Sequence, residues 1–358
     1  MQLKFKFISI TILYLMVSQK LLAQDLHFSQ FNETPAIVNP ALIGVTGPVR
    51  VSVINKDQWK SVTTAYKTYG ADFEMRFKTE KWKKTKHRSL VTKSKGLSLF
   101  NAGLSFYSDQ SGDGRLKINK INLSLSSFIK IAKHHFVSAG LQASYKQRQV
   151  DATKLLFPDQ YNGTIYDPNQ PTRENFLVQK FTNYDAAAGV LYSFVSDESN
   201  FDAKKQFNAR AGFALYNLTR PRDQFINALD YGGYMRFVAH GDMIKSLGTT
   251  KMAIAPSYLF QMQGPNKEFL IGTVVKHYFQ GTSKITGLNK RNSFGYGLYY
   301  RTKDALVVSA VVELMEQYYI FFGYDVNVSS LKTASNRRGG FEVGLRYTSP
   351  GTYLYKHK

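Results

Sequence analysis

From Val49 onward the chain returns again and again to one pattern, in which apolar side chains alternate with polar or small ones. Across 135–147, Val137, Ala139, Leu141, Ala143 and Tyr145 alternate with Ser138, Gly140, Gln142, Ser144 and Lys146. Ala209, Ala211, Phe213 and Leu215 do the same with Asn208, Arg210 and Gly212. So do Phe294, Tyr296, Leu298 and Tyr300 with Ser293, Gly295, Gly297, Tyr299 and Arg301, and Phe341, Val343, Leu345 and Tyr347 with Glu342, Gly344 and Arg346. A period of two is the signature of a strand with one apolar face. A soluble sandwich alternates as well, but two features separate it from this chain. The alternating stretches run to about 9–14 residues, where soluble strands average about 5–6. The polar face carries Arg, Lys, Glu and Gly, as a wet interior does.

The expected fold is therefore all-β: a transmembrane, antiparallel outer-membrane β-barrel of about fourteen strands. They fall near 49–57, 64–76, 96–107, 116–130, 135–148, 183–195, 206–218, 232–240, 250–262, 268–280, 291–302, 305–314, 318–328 and 340–348. An even count closes the ring with both termini in the periplasm. Parity then places the long connections 149–182, 219–231 and 329–339 outside the cell, and the turns at 131–134 and 316–317 inside. One segment resists the scheme. Residues 77–95 are long yet fall on the periplasmic side, and they hold eight Lys or Arg against Glu80 alone. A solvated loop, a basic tether for an acidic partner or anionic lipid, and a miscounted strand all stay open.

Ahead of the first strand lies a leader. Lys4 and Lys6 precede an apolar run at 7–17, and Leu21-Leu22-Ala23 sets a small residue before Gln24. This reads as a signal peptide, 1–23, cleaved after Ala23. Residues 24–48 are polar and rich in turn formers, with Pro35, Asn39, Pro40 and Gly44, and are expected to plug or line the lumen of the barrel at 49–358. Composition fits export. The chain has no Cys, which excludes a disulfide framework, a thiolate metal site and a lipidated N-terminal Cys. The 23 Tyr and 26 Phe suit rings at a membrane interface. Net charge is +22, or +19 without Lys4, Lys6 and Lys20. The basic residues are spread through strands and loops, so with the export signal no nucleic-acid partner is expected.

Nothing in the pattern carries catalysis, and no cofactor or metal is expected. The seven His form no His-Glu-x-x-His, and His134-His135 reads as a surface pair at a turn. There is no Gly-x-Ser-x-Gly elbow and no phosphate-binding glycine loop. Asp109, Asp113 and Gly114 read as a hairpin turn rather than a Ca²⁺ loop. Arg301, Asp304, Asp325, Glu342 and Arg346 fall on or beside strands and are expected to pair in or near the lumen, because an unpaired charge there is costly.

Several motifs resemble those of one family. At the start they are Gln24-Asp25, Phe28-Ser29-Gln30-Phe31, Pro35, Asn39-Pro40-Ala41, Gly44 and Gln58-Trp59. Gly140-Leu141-Gln142, Gln147-Arg148, Asp159-Gln160-Tyr161, Tyr216-Asn217-Leu218, Gly297-Leu298-Tyr299-Tyr300-Arg301, Tyr324-Asp325-Val326-Asn327 and the run from Gly339 to Leu345 follow in order. Together they resemble the PorP/SprF family of outer-membrane proteins, associated with type IX secretion and gliding in Bacteroidota. The resemblance implies a non-enzymatic barrel that helps surface proteins with one class of C-terminal secretion domain, gliding adhesins among them, reach or stay on the cell surface. Implied partners are that cargo, the translocon or periplasmic OmpA-like or lipoprotein components, and outer-membrane lipid. Leu155, Phe157, Asp159, Tyr161 and Tyr166, on the longest loop, are the expected partner-binding residues. Phe28, Ser29, Gln30, Pro35, Asn39, Pro40, Gly44 and Trp59 mark the N-terminal plug and family motif. The competing expectation is a transporter of hydrophobic small molecules resembling the FadL porins, with 24–44 as its hatch.

Overall fold

The computed structural model describes residues 28–58, 65–78, 98–112, 116–151, 155, 157–167, 169–171, 179–196, 207–221, 233–248, 250–279, 292–329 and 338–349. The expected signal peptide, Trp59 and all of the basic segment 77–95 beyond Lys78 lie outside them. Fourteen strands form one closed antiparallel ring: β1 Val49–Gln58, β2 Tyr66–Lys78, β3 Ser98–Ser111, β4 Leu116–Ala132, β5 His135–Val150, β6 Gln179–Val195, β7 Phe207–Tyr216, β8 Arg236–Ser246, β9 Met252–Gln263, β10 Asn266–Tyr278, β11 Ser293–Arg301, β12 Ala305–Leu314, β13 Tyr318–Asn327 and β14 Arg338–Thr348. Each strand pairs with its neighbours in sequence. The ring closes between β1 and β14, from Arg50↔Thr348 to Gln58↔Gly340.

All fourteen strands match the expected segments, with one displaced. β8 was expected at 232–240 and lies at Arg236–Ser246. Gly241-Asp242 looks like a turn in sequence, yet Gly241 pairs with Tyr258 and Asp242 with Ser257 inside the sheet. β4, β5 and β6 are long, at 16 or 17 residues each, and β6 starts four residues earlier than expected because the mostly polar Gln-Lys-Phe-Thr run at 179–182 continues the ladder to Val150↔Gln179. Odd strands end at one rim, even strands at the other. The connections 196–206 and 279–292 share the rim of 79–97, so loop length separates the rims less sharply than the sequence suggested.

The two faces are inverted relative to a soluble protein. Leu141 is 67% exposed, Leu104 53% and Tyr296 52%, whereas Arg50 is 1% exposed and Glu342 0%. β5 shows the cause: Val137, Ala139, Leu141 and Ala143 point outward and Ser138, Gly140, Gln142 and Ser144 inward. The outward sets of β11 to β14 are almost wholly apolar or aromatic. A water-facing belt of that kind is unfavourable, while hydrocarbon around it is not. A closed ring leaves no strand as an edge, so the wall backbone can pair within the ladder, as a bilayer requires. Replacing outward-facing Leu141 with Arg should therefore lower stability in lipid vesicles by about 2–4 kcal/mol, read by denaturant unfolding. A change near zero means that this face meets water.

Candidate functional site

Residues 28–45 precede β1 and are buried almost throughout. Three short helical turns shape them: Phe31–Glu33, Pro35–Val38 and Pro40–Leu42. Pro35 and Pro40 each open a turn, where a fixed φ helps and a missing N–H costs nothing. Asn39 caps the last turn, its Oδ1 accepting from Ala41 N at 2.9 Å. Gly44 has φ +74°, and a Cβ there would sit 2.4 Å from Asn101 Cγ. Both the left-handed backbone and the contact call for glycine.

Hydrogen bonds from this segment run to β1, β2, β4 through β8, β11, β13 and β14. At one end, Ser29 N and Gln30 N donate to the two Glu342 carboxylate oxygens, each at 2.9 Å. Ser29 Oγ donates to Asp325 (3.0 Å) and accepts from Arg301 (2.6 Å). Arg301 also reaches Asp325 at 3.2 Å and Asp304 at 2.8 Å, and Lys56 Nζ lies 3.7 Å from Asp325 and 3.8 Å from Glu342. Except for half-buried Asp304, these side chains are nearly excluded from solvent. At such burial each charge must be matched, and here cations and carboxylates interleave.

A second cluster grips the middle of the segment. Glu33 accepts from Arg346 at 2.8 and 2.9 Å, and Arg50 donates to the Glu33 carbonyl at 2.7 Å and to Glu74 at 2.5 Å. Glu74 in turn accepts from Gly44 N at 2.7 Å, and Arg76 donates to the Gly44 carbonyl. Arg301 ends β11, whereas Arg76 lies near the end of β2. Since odd and even strands end at opposite rims, 28–45 reaches from one rim to the other.

Between Glu33 and Gly44 close steric fit adds to hydrogen bonds. A Cβ on Gly140 would lie 2.4 Å from the Pro40 carbonyl carbon, one on Gly189 2.0 Å from Asn39 Oδ1, and one on Gly212 2.7 Å from Asn39 Nδ2. Gly140 and Gly189 are cross-strand partners. Over this bare patch Asn39 Nδ2 donates to the carbonyls of Val190 (3.0 Å) and Phe213 (3.3 Å) and lies 3.0 Å from His240 Nε2. Ser126, Ser138, Tyr216 and Arg236 donate to the carbonyls of Ile43, Ala41, Ala36 and Ile37.

The expected lumen residues separate into two sites. Arg301, Asp304, Asp325 and Glu342 come together with Lys56 and Ser29, while Arg346 belongs to the Glu33 cluster. Phe28, Ser29, Gln30, Pro35, Asn39, Pro40 and Gly44 lie in the buried segment. Lys56, Arg50, Glu33, Glu74 and the glycine patch went unnoticed in the sequence. Arg50 and Lys56 share the inward parity of Ser52, a signal that was available.

On the longest loop, Tyr161 and Tyr166 form an antiparallel bridge with ring centroids 5.0 Å apart and are 48% and 49% exposed. Phe157 precedes the turn Pro158–Gln160, its N–H donating to Gln160 Oε1 at 3.0 Å. Leu155 and Phe157 are half-buried and Asp159 is exposed. Near the other rim, His134 Nδ1 meets the Val195 carbonyl at 2.9 Å and His135 Nδ1 the Tyr192 hydroxyl at 2.6 Å. Among the described residues no group of three His, Asp or Glu is placed to hold a metal ion.

A closed strand ring with an apolar exterior and a charged, internally paired interior defines an outer-membrane β-barrel protein. The chain belongs to the PorP/SprF family, described as type IX secretion system membrane protein PorP/SprF, whose family model matches residues 21–347. A comparison with curated proteins gave no match. Solved structures with similar chains include the β domain of the Bordetella autotransporter BrkA, at 11% identity over 85% of this chain and 100% of that one, with a TM-score of 0.37. BamA from Haemophilus ducreyi lacking POTRA domains 1–3 is similar at 8% identity over 84% and 70%, TM-score 0.42. A Pseudomonas aeruginosa FadL homologue is similar at 9% identity over 88% and 94%, TM-score 0.41.

Glu342→Ala tests the first cluster. It strips the acceptor from two buried N–H groups and a partner from Lys56, so stability should fall by about 3–5 kcal/mol. Chymotrypsin should then cut faster at Phe28 or Phe31. A variant as stable and resistant as the parent would mean that this carboxylate does not hold the segment.

Proposed function

We propose that the protein is a non-enzymatic receptor of the type IX secretion system that supports secretion or surface anchoring of cargo, such as gliding adhesins, through the cargo's C-terminal domain. The observation that carries this reading is the interior. Among the described residues, 28–45 hydrogen-bond to ten of the fourteen strands, so the lumen works as a braced core and the segment as its plug. A braced barrel suits a docking platform better than a wide pore. Membership of a type IX secretion family supplies the system in which it works.

Docking then falls to the loops. The paired, exposed Tyr161 and Tyr166, with Leu155, Phe157 and Asp159 on the same loop, offer aromatic area at modest entropy cost. Translocon or periplasmic OmpA-like or lipoprotein components would meet the opposite rim.

Removing residues 151–182 while the barrel still inserts should release the surface cargo, seen by mild-detergent purification and mass spectrometry of bound proteins. If cargo stays bound, the loop is not its seat. If instead the mutant keeps its surface proteome and loses uptake of hydrophobic compounds, the protein is a transporter.

A further inference from the structure

One pair of neighbouring strands differs from the rest of the wall. β8 and β9 pair without a break from Arg236↔Gln263 to Asp242↔Ser257 except for the partners of Met243 and Ile244, and the ladder resumes at Lys245↔Ile254 in the same register. The irregularities at Lys130/Ala132 and Tyr324/Val326 are different, because there the register shifts. The missing pairs face Pro256 and Ala255. Proline has no N–H to donate, and in sheets it belongs on edges or bulges. A closed barrel has no edge, so Pro256 leaves its neighbour short. The ladder to β10 runs intact through Thr273↔Pro256, so the deficit faces β8. Thr273 Oγ1, alongside, has no hydrogen-bond partner.

Two further observations fall on the same pair. The inner segment holds β8, through Arg236 to the Ile37 carbonyl and His240 to Asn39, but among the described residues no hydrogen bond joins 28–45 to β9. A gap of about 10 Å³, room for one water, lies where Phe28, Phe31, Ile37 and Val38 face Val238 of β8 and Leu259 of β9. The wall is thus short of ladder bonds along the line where the hold of the segment stops.

We propose that the β8–β9 seam is a lateral gate, the line along which the wall parts between lumen and bilayer. β8 stays with the inner segment and β9 moves with β10. The paired flanks Gly241↔Tyr258 and Lys245↔Ile254 close over the opening. Local opening starts where hydrogen bonds are fewest, and here a gap in the ladder coincides with the boundary between a braced strand, β8, and an unbraced one, β9.

Hydrogen exchange by mass spectrometry on the full chain in nanodiscs tests this. The reference is the unbroken β12–β13 ladder around Val311↔Phe321, which lies at a similar depth from the same rim. Amides at 243–245 and at 254, 255 and 257 should exchange about tenfold faster than that reference. Pro256→Val, which restores the donor, should bring them down to it. The chain has no Cys, so Lys245→Cys with Ile254→Cys gives a single disulfide across the seam in an otherwise native wall. That bond should slow the same amides. Seam amides that exchange as slowly as the reference in the native chain overturn the proposal. So do fast amides that neither Pro256→Val nor the formed disulfide slows.

Discussion

The structure depends on buried charges that find their partners across the barrel axis. Glu342 and Asp325 on the wall meet Ser29 and Gln30 of the inner segment, with Lys56 and Arg301 beside them. Glu33 of the segment meets Arg50 and Arg346 of the wall. Neither side can bury its charge alone, since a desolvated ion without a partner costs several kcal/mol. The segment therefore completes the interior as a core completes a soluble domain, but with ion pairs and carbonyl contacts in place of apolar packing alone.

The exterior follows from the same division. Because alternate residues of each strand serve opposite solvents, the polar chemistry goes inward and Leu, Val, Tyr and Phe go out. Glycines occupy inward positions where the segment presses closest, at Gly140, Gly189 and Gly212. Side-chain volume removed from the wall is filled by Asn39 and Pro40. The interior is thus shaped for one particular piece of its own chain.

Much of this was legible in the sequence. A period of two survives any uncertainty in strand ends, so all fourteen strands were visible. β8 was misplaced only because Gly241-Asp242 mimics a turn. The inward charges were visible one by one: Arg301, Asp325, Glu342 and Arg346 fall on strands by parity. Their division into two sites was not, because pairing across a barrel joins residues about three hundred positions apart, as with Ser29 and Glu342. Glu33 sits among polar residues in a turn-rich stretch and gives no periodic signal. The glycine patch was invisible for a similar reason, since a missing side chain matters only once its neighbour is known.

The most direct measurement of the central claim is single-barrel conductance in a planar bilayer. If paired charges hold residues 28–45 across the interior, the intact protein should show no steady conductance, and removing 28–45 should open a stable channel. An intact barrel that conducts steadily, with no change when the segment is deleted, would contradict the account.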